Sequence, residues 1–380
     1  MIEESSWMNE ELRIYRSTVR RFIENEFIPN QARWRQQQYP DIDAWTKAGK
    51  VGILLCDVPE EYGGSGGTFA HAAVIVEEIA RVGVHFGAYT HNSMAQYIVA
   101  YATEEQKRNW LPRMARGELV GAIAFTEPAA GSDITAIKTT ARREGDQYVI
   151  NGSKTFITNG MHAGIVCLAV KTDPAAAGMK GVSLVIVETK DLAGYQVGRP
   201  LEKLGYHGQD TCEIFFNDVR IPTNNLLGSV EGRGISQVME TLNYERLSIC
   251  TAAVATAEEA VEITTKYAKE RMVFGKPLIE LQNTRFKLAE CKTEAHVARV
   301  FLDECIRRFI EGRSDAVMVA EAKYWLTECE GRIVDTCLQI HGGYGYMTEY
   351  LIARMWADSR VHRIGGGTGE LMRESIGWSL

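Results

Sequence analysis

Apolar residues recur with a helical period at both ends of the chain and with short alternation in the block between. In the first end, residues 1 to about 118, Leu12, Tyr15, Val19, Phe22 and Ile23 fall on one side of a helix expected over Glu11 to Phe27. His71 to Val82 and His91 to Tyr101 continue the pattern. Thr103 ahead of Glu104-Glu105-Gln106 reads as an N-cap with acidic residues in the first turn. The run Glu61-Tyr62-Gly63-Gly64-Ser65-Gly66-Gly67 has no strand leading into it and reads as a connection.

Near Gly121 the pattern changes. Tyr148-Val149-Ile150 before Asn151-Gly152, and Thr155-Phe156-Ile157-Thr158 before Asn159-Gly160, are short β-rich runs closed by turn dipeptides. Ile165 to Lys171, Val182 to Glu188 and Glu213 to Phe216 follow. Close turns between alternating strands predict an antiparallel barrel or sandwich rather than a parallel sheet. Beyond Ile221-Pro222 and Gly228 the helical period returns. One helix is expected from Ile235 to about Val273, ending near Gly275-Lys276-Pro277, a second from about Leu278 to Ile310, and a third from about Asp315 to His341. Long helices joined by short loops predict an antiparallel bundle. The expected class is α+β in three parts: a helical domain over 1–118, an antiparallel β-barrel over 119–228 and a helical bundle over 229–380.

At 380 residues the chain is too long for one hydrophobic core. Its net charge of -7 offers no electrostatic reason to bind nucleic acid or an acidic membrane. Its start, Met1 to Ser6, is acidic and lacks an apolar h-region, and the longest apolar runs are strand-sized, so a cytoplasmic protein without a membrane span is expected. Eight cysteines without a Cys-x-x-Cys read as reduced core residues, and eight histidines without metal-ligand spacing argue against a dedicated metal site.

Three glycine- and hydroxyl-rich segments are candidates for chemistry. They are Phe125 to Asp133, Lys154 to Gly160, and a split pair formed by Gln339 to Gly343 and Gly365 to Glu370. Their amides and hydroxyls suit a polar, phosphate-bearing ligand, although glycine and threonine are also ordinary turn residues. On the long helix, Glu245-Arg246 stands just before a run of small residues that includes Ser248, Cys250, Ala252 and Ala255. Small side chains let another helix, or a flat ligand, approach the backbone. Taken alone, adjacent Glu-Arg residues are more commonly a surface ion pair.

Four motifs together resemble the acyl-CoA dehydrogenase family over nearly the whole chain. They are Thr-Glu-Pro-x-Ala-Gly-Ser-Asp at 126–133, Asn-Gly-x-Lys-x-x-Ile-Thr-Asn-Gly at 151–160, Glu-Arg-x-x-Phe-Gly-Lys at 270–276 and Gln-Ile-His-Gly-Gly-Tyr-Gly-Tyr at 339–346. The resemblance implies a helical domain, a β-barrel and a four-helix-bundle domain in that order. It also implies bound FAD, a homotetramer, oxidation of an acyl-CoA to the trans-2-enoyl-CoA, and an electron-transferring flavoprotein as acceptor. By the same resemblance Phe125 and Thr126 meet the flavin ring, and Phe156, Ile157 and Thr158 cover its other face. Phe156 stands where many relatives carry Trp. Arg271, Phe274, Gln282, Gln339, Gly342 and Gly343 are implied to reach the pyrophosphate and adenine across a subunit boundary, with Thr368 and Glu370 as further cofactor contacts. Ser132 is implied for the pantetheine or the flavin, and Asn243 and Arg246 for the CoA moiety. Outside the motif, Arg271 would read as a helix cap and Phe274 as core.

In many relatives the catalytic base is the glutamate of a Tyr-Glu-Gly-Thr segment. The aligned residues here are Gly365-Gly366-Gly367-Thr368, so Gly366 takes that place. Long-chain and isovaleryl members instead carry the base in a Glu-Arg-Leu context on the long helix, and this chain has Glu245-Arg246-Leu247. The resemblance therefore assigns α-proton removal to Glu245, hydride acceptance to the flavin, and a backbone N–H for the thioester carbonyl to Gly366. A carboxylate doing this work sits in a dry pocket with a raised pKa. Glu240 and Glu258 read as solvated helix residues. Gly121-Ala122-Ile123-Ala124 and Ala322-Lys323-Tyr324-Trp325 resemble the long-chain branch, and long-chain substrates are expected. The alternatives are a short branched-chain enzyme of isovaleryl type, an oxidase or monooxygenase that uses O₂, and a non-catalytic scaffold, the last suggested by Gly366.

Overall fold

The computed structural model describes residues 5–176 and 178–380. The first third is helical: α1 Glu10–Phe22, α2 Gln31–Gln37, α3 Ile42–Lys50, α4 Phe69–Arg81, α5 Ala88–Tyr101 and α6 Glu104–Ala115. Helix α1 begins where the Asn9 side chain accepts the Leu12 N–H at 2.9 Å, buries Leu12, Val19 and Phe22, and runs on through a π-turn to Phe27. The expected cap of α6 is a full capping box, Thr103 and Gln106 each bonding the other's backbone.

The middle third is a curled sheet of seven strands: β1 Val120–Ala124, β2 Thr140–Glu144, β3 Gln147–Thr158, β4 Ala163–Lys171, β5 Val182–Glu188, β6 Tyr195–Val197 and β7 Thr211–Pro222. Two expectations change here. Asn151-Gly152 is not a turn; the chain continues through it as one twelve-residue strand, because β3 is paired along its length with β7 and absorbs the misfit as register shifts at Ile150/Gly152 and Lys154/Ile157. The pairing is also not wholly antiparallel, since β1 runs parallel to β4. Strand β1 enters from α6 and leaves by a long loop, so no hairpin ties it to its neighbour.

The last third is built on α7 Gly234–Glu270, a helix of 37 residues. A short hairpin follows, β8 Met272–Val273 with β9 Lys276–Pro277, then α8 Gln282–Ile310, α9 Ala316–His341, α10 Leu351–His362 and α11 Gly369–Gly377. The small residues Cys250 to Ala257 of α7 are all buried.

Two buried joints fasten the thirds together. Arg299 of α8 donates to Glu258 of α7 at 2.7 and 2.8 Å and to Glu77 of α4 at 2.6 Å, while Arg81 also bonds Glu258. Glu258 is therefore an interior anion rather than the solvated residue expected; its partners lie far away in sequence. Glu240 is exposed and accepts a hydrogen bond from Tyr101 at 2.8 Å. At the second joint, His85 meets Asp358 at 2.8 Å, and Asp358 accepts the Tyr206 N–H at 2.5 Å. The Tyr206 hydroxyl in turn meets His362 at 2.8 Å, and His362 faces Glu330 at 2.9 Å. All eight cysteines are buried and free. Among the described residues no helix is long and apolar enough to cross a membrane.

Candidate active site

Glu245 projects from α7 toward α5, where the Tyr97 hydroxyl donates to its Oε1 at 2.7 Å. Burial pushes the Glu245 carboxyl above its ordinary range, against the opposing pull of the Tyr97 hydrogen bond and the Arg246 charge. The next residue, Arg246, is buried and donates from Nε to the Gly366 carbonyl at 3.1 Å. Lys323 of α9, fully buried and lowered by that burial to about 8, donates to the Gly367 carbonyl at 2.5 Å. Two cations from two helices thus hold the loop between α10 and α11 against α7 and α9. Gly366 and Gly367 have φ of +67° and +96°, conformations that favour glycine. Thr368 caps α11 by accepting the Leu371 N–H at 3.4 Å, and Glu370 is exposed beside Arg373 at 3.0 Å. Asn243, on the turn before Glu245, carries a buried Oδ1 with no hydrogen-bond partner among the described residues.

A second wall comes from the sheet. The Lys154 ammonium, fully buried and lowered by burial to about 8, donates to the Phe125 carbonyl at 3.1 Å and pairs with Glu127 at 2.8 Å. Glu127 also accepts the N–H groups of Lys138 and Thr139 at 2.6 and 2.9 Å, and the Thr155 N–H donates to the Thr126 carbonyl at 3.0 Å. This buried pair and its amides lock the segment Phe125–Glu127 to Lys154–Thr155. Phe156 follows at φ +60° with its side chain 66% exposed, at the register break against β7. A non-glycine residue held there costs about 1–2 kcal/mol, so the fold sustains strain in order to present an aromatic face. Ile157 beside it is buried and Thr158 partly so. Asn159, also at positive φ, is buried and donates to the Gly87 and Gly121 carbonyls at 3.0 Å each, tying the strand end to α5 and β1. The two walls meet where the Phe125 ring packs edge-on against Tyr97, centroids 5.7 Å apart. Ser132 is exposed in the loop beyond.

The remaining candidates form a separate patch. Arg271 is the C-cap of α7 and lies over the Tyr344 ring at 5.6 Å. Arg271 stands 26 positions beyond Glu245 along the helix, about 39 Å along the axis at 1.5 Å per residue. Phe274, at the hairpin tip with φ +48°, is 94% exposed and so is not core. Gln282 opens α8, and Gln339, Gly342 and Gly343 sit exposed at the end of α9. Within one chain this patch and the Glu245 site are apart.

Sequence reasoning missed Tyr97, Lys323 and the Lys154–Glu127 pair as parts of the site. A tyrosine in an apolar helix reads as core. Lys323, a lone cation among Val319, Ala320, Ala322 and Leu326, carried a signal: a charge on a buried helix face implies a partner.

The residues fit a flavin dinucleotide. An exposed aromatic held in a strained conformation, glycines in left-handed conformation beside an acid, and exposed Arg271 and Phe274 supply stacking faces, backbone donors and a cation for phosphate. Three family models match the chain: acyl-CoA dehydrogenase N-terminal domain over residues 9–118, middle domain over 122–219 and C-terminal domain over 232–380. The chain is 41% identical over 367 residues to the mitochondrial long-chain specific acyl-CoA dehydrogenase of Sus scrofa, covering 96% of this chain and 85% of that protein. Among solved structures, an acyl-CoA dehydrogenase from Geobacillus kaustophilus superimposes with a TM-score of 0.96 at 44% identity, covering 99% of each chain. An acyl-CoA dehydrogenase from Bacillus anthracis, complexed with FAD, superimposes with a TM-score of 0.91 at 32% identity, covering all of this chain and 68% of that one.

Proposed function

Because the chain belongs to the acyl-CoA dehydrogenase family of flavoprotein oxidoreductases, we propose that it desaturates long-chain acyl-CoA thioesters between the α- and β-carbons, with Glu245 as the base. The observation that carries this reading is a partly buried carboxylate next in sequence to the arginine that holds a glycine loop, a loop that offers no acid of its own. Glu245 takes the α-proton at its carboxylate. Desolvation makes that oxygen more basic, matching it to a thioester α-carbon whose acidity rises as the carbonyl is polarised. The Gly366 N–H polarises that carbonyl, and Arg246 and Lys323 fix the loop that presents it. Bound FAD supplies acceptance of the β-hydrogen as hydride. Phe125, Thr126, Phe156, Ile157 and Thr158 would hold its ring, with Thr368 and Glu370 close to it. Asn243, Arg246 and Ser132 face the CoA arm. The separation of Arg271, Phe274, Gln282, Gln339, Gly342 and Gly343 from Glu245 favours their serving the cofactor of a second subunit, and so an oligomer, in keeping with the homotetramer that the resemblance implies. An electron-transferring flavoprotein is the acceptor.

The test is anaerobic titration of the purified protein with straight and branched acyl-CoAs of increasing length, following the flavin's visible absorbance. Long straight chains bleach it fastest, and the bleaching persists until an acceptor is added. A preference for short branched chains would reassign the substrate, peroxide formation in air at the turnover rate would make the protein an oxidase, and no bleaching with any thioester would end the proposal.

A further inference from the structure

Tyr97 is fully buried in α5, its hydroxyl 2.7 Å from Oε1 of Glu245 and its ring set edge-on against Phe125 at 81°. It therefore touches the acid with one end and packs its ring against the wall that carries Phe125. We propose that Tyr97 is a positioning residue for the base: by donating to Oε1 it orients the carboxylate, keeps it charged, and leaves Oε2 to receive the α-proton. The inference rests on Glu245 being the base.

A carboxylate removed from water tends to hold its proton, and a protonated acid cannot abstract one. A hydrogen bond donated to the anion opposes that tendency. The other titratable groups placed to act on Glu245 are Arg246 on its own helix, Tyr89 on α5 and Cys167 on β4. Arg246 is already engaged with the Gly366 carbonyl through Nε, whereas the Tyr97 hydroxyl points at the carboxylate itself. Ring packing against Phe125 and the surrounding core removes the freedom of the phenol to turn away. The arrangement also ties the acid's orientation to the flavin wall, because the same side chain contacts both.

Tyr97→Phe keeps the ring and removes only the donor. The direct readout is the infrared carboxyl band of Glu245 in the substrate-free holoenzyme, assigned by its absence in Glu245→Gln and titrated with pH. In Tyr97→Phe its midpoint moves up by about one pH unit or more. The rising limb of the flavin-reduction rate moves with it, so at pH values below the parental midpoint the rate falls about tenfold, and in alkali it recovers. Fluorotyrosine at position 97, a stronger donor of nearly the same size, shifts the midpoint the other way and tests the same point should Tyr97→Phe not fold. A merely structural tyrosine would change thermal stability and leave the midpoint in place. An unmoved midpoint in either variant, or a loss of rate equal at every pH, overturns the proposal. Flavin reduction at the parental rate in Glu245→Gln is a different failure: it removes the base itself.

Discussion

Adding one methyl group at Gly366 tests whether the loop must keep its shape. Gly366 has φ +67°, and a Cβ there would lie 2.8 Å from Cδ1 of Ile249. Holding alanine in that conformation costs about 1–2 kcal/mol. Turning the Ile249 side chain aside costs about 0.5–1.5 kcal/mol more. Together they come to about 2–3 kcal/mol. Unfolding entropy for 380 residues is about 0.8 kcal/mol/K, so this lowers Tm by only about 3–4 °C. Alanine keeps the N–H, so the rate falls through the loop relaxing out of this conformation and turning the 366 amide away from the thioester carbonyl; losing one such donor costs about 10²–10³ in kcat. Gly366→Ala is therefore expected to be folded and yellow, slightly less stable, and slower by about two orders of magnitude in anaerobic single-turnover flavin reduction. Ile249→Val removes the clashing Cδ1 and nothing else, so in the double variant it restores part of the Tm while the backbone cost remains. A parental reduction rate in Gly366→Ala would refute the expectation that the added methyl turns this amide away from the carbonyl.

Lys154→Met leaves Glu127 buried beside two backbone donors without its counter-charge; the loss is about 3–5 kcal/mol, or about 4–6 °C in Tm, and Glu127→Gln in the same chain recovers part of it. No change in Tm would show that Glu127 is already neutral. For Phe156→Gly the strained φ is relieved, so the FAD-free protein is no less stable, while FAD dissociates faster when measured by flavin fluorescence; unchanged dissociation would remove Phe156 from the cofactor's wall. For the His362–Glu330 joint, burial lowers the His362 pKa but the Glu330 charge outweighs it, and the result lies above the usual 6.5. A raised histidine stabilises the fold fully below pH 6.5 and loses that contribution as pH rises through the folded value, so His362→Gln lowers Tm more at pH 6 than at pH 9. Equal losses at both would mean the ring is neutral throughout.

What the sequence disclosed follows from how local each constraint is. Helix α7 was legible because a long run without proline, and without glycine after Gly234, leaves few other conformations. Gly366 and Glu245 are expected as a pair because each stands in its own short motif; what the structure adds is that Arg246, next to Glu245, contacts Gly366. The turn expected at Asn151-Gly152 failed because a dipeptide states only a preference, while pairing of β3 with β7 on both sides decides the outcome. Glu258 misled for the same reason in charge: Arg299 and Arg81, 41 and 177 residues away, turn a polar helix position into an interior one. Tyr97 is the sharpest case. Its hydroxyl and the Glu245 carboxylate are 148 residues apart, on helices whose packing no motif encodes, and nothing in an apolar helix distinguishes a tyrosine that fills space from one that aims a proton acceptor. Motifs therefore named the residues proposed to react, whereas the residues that contact them from other helices became visible only when the helices were set side by side.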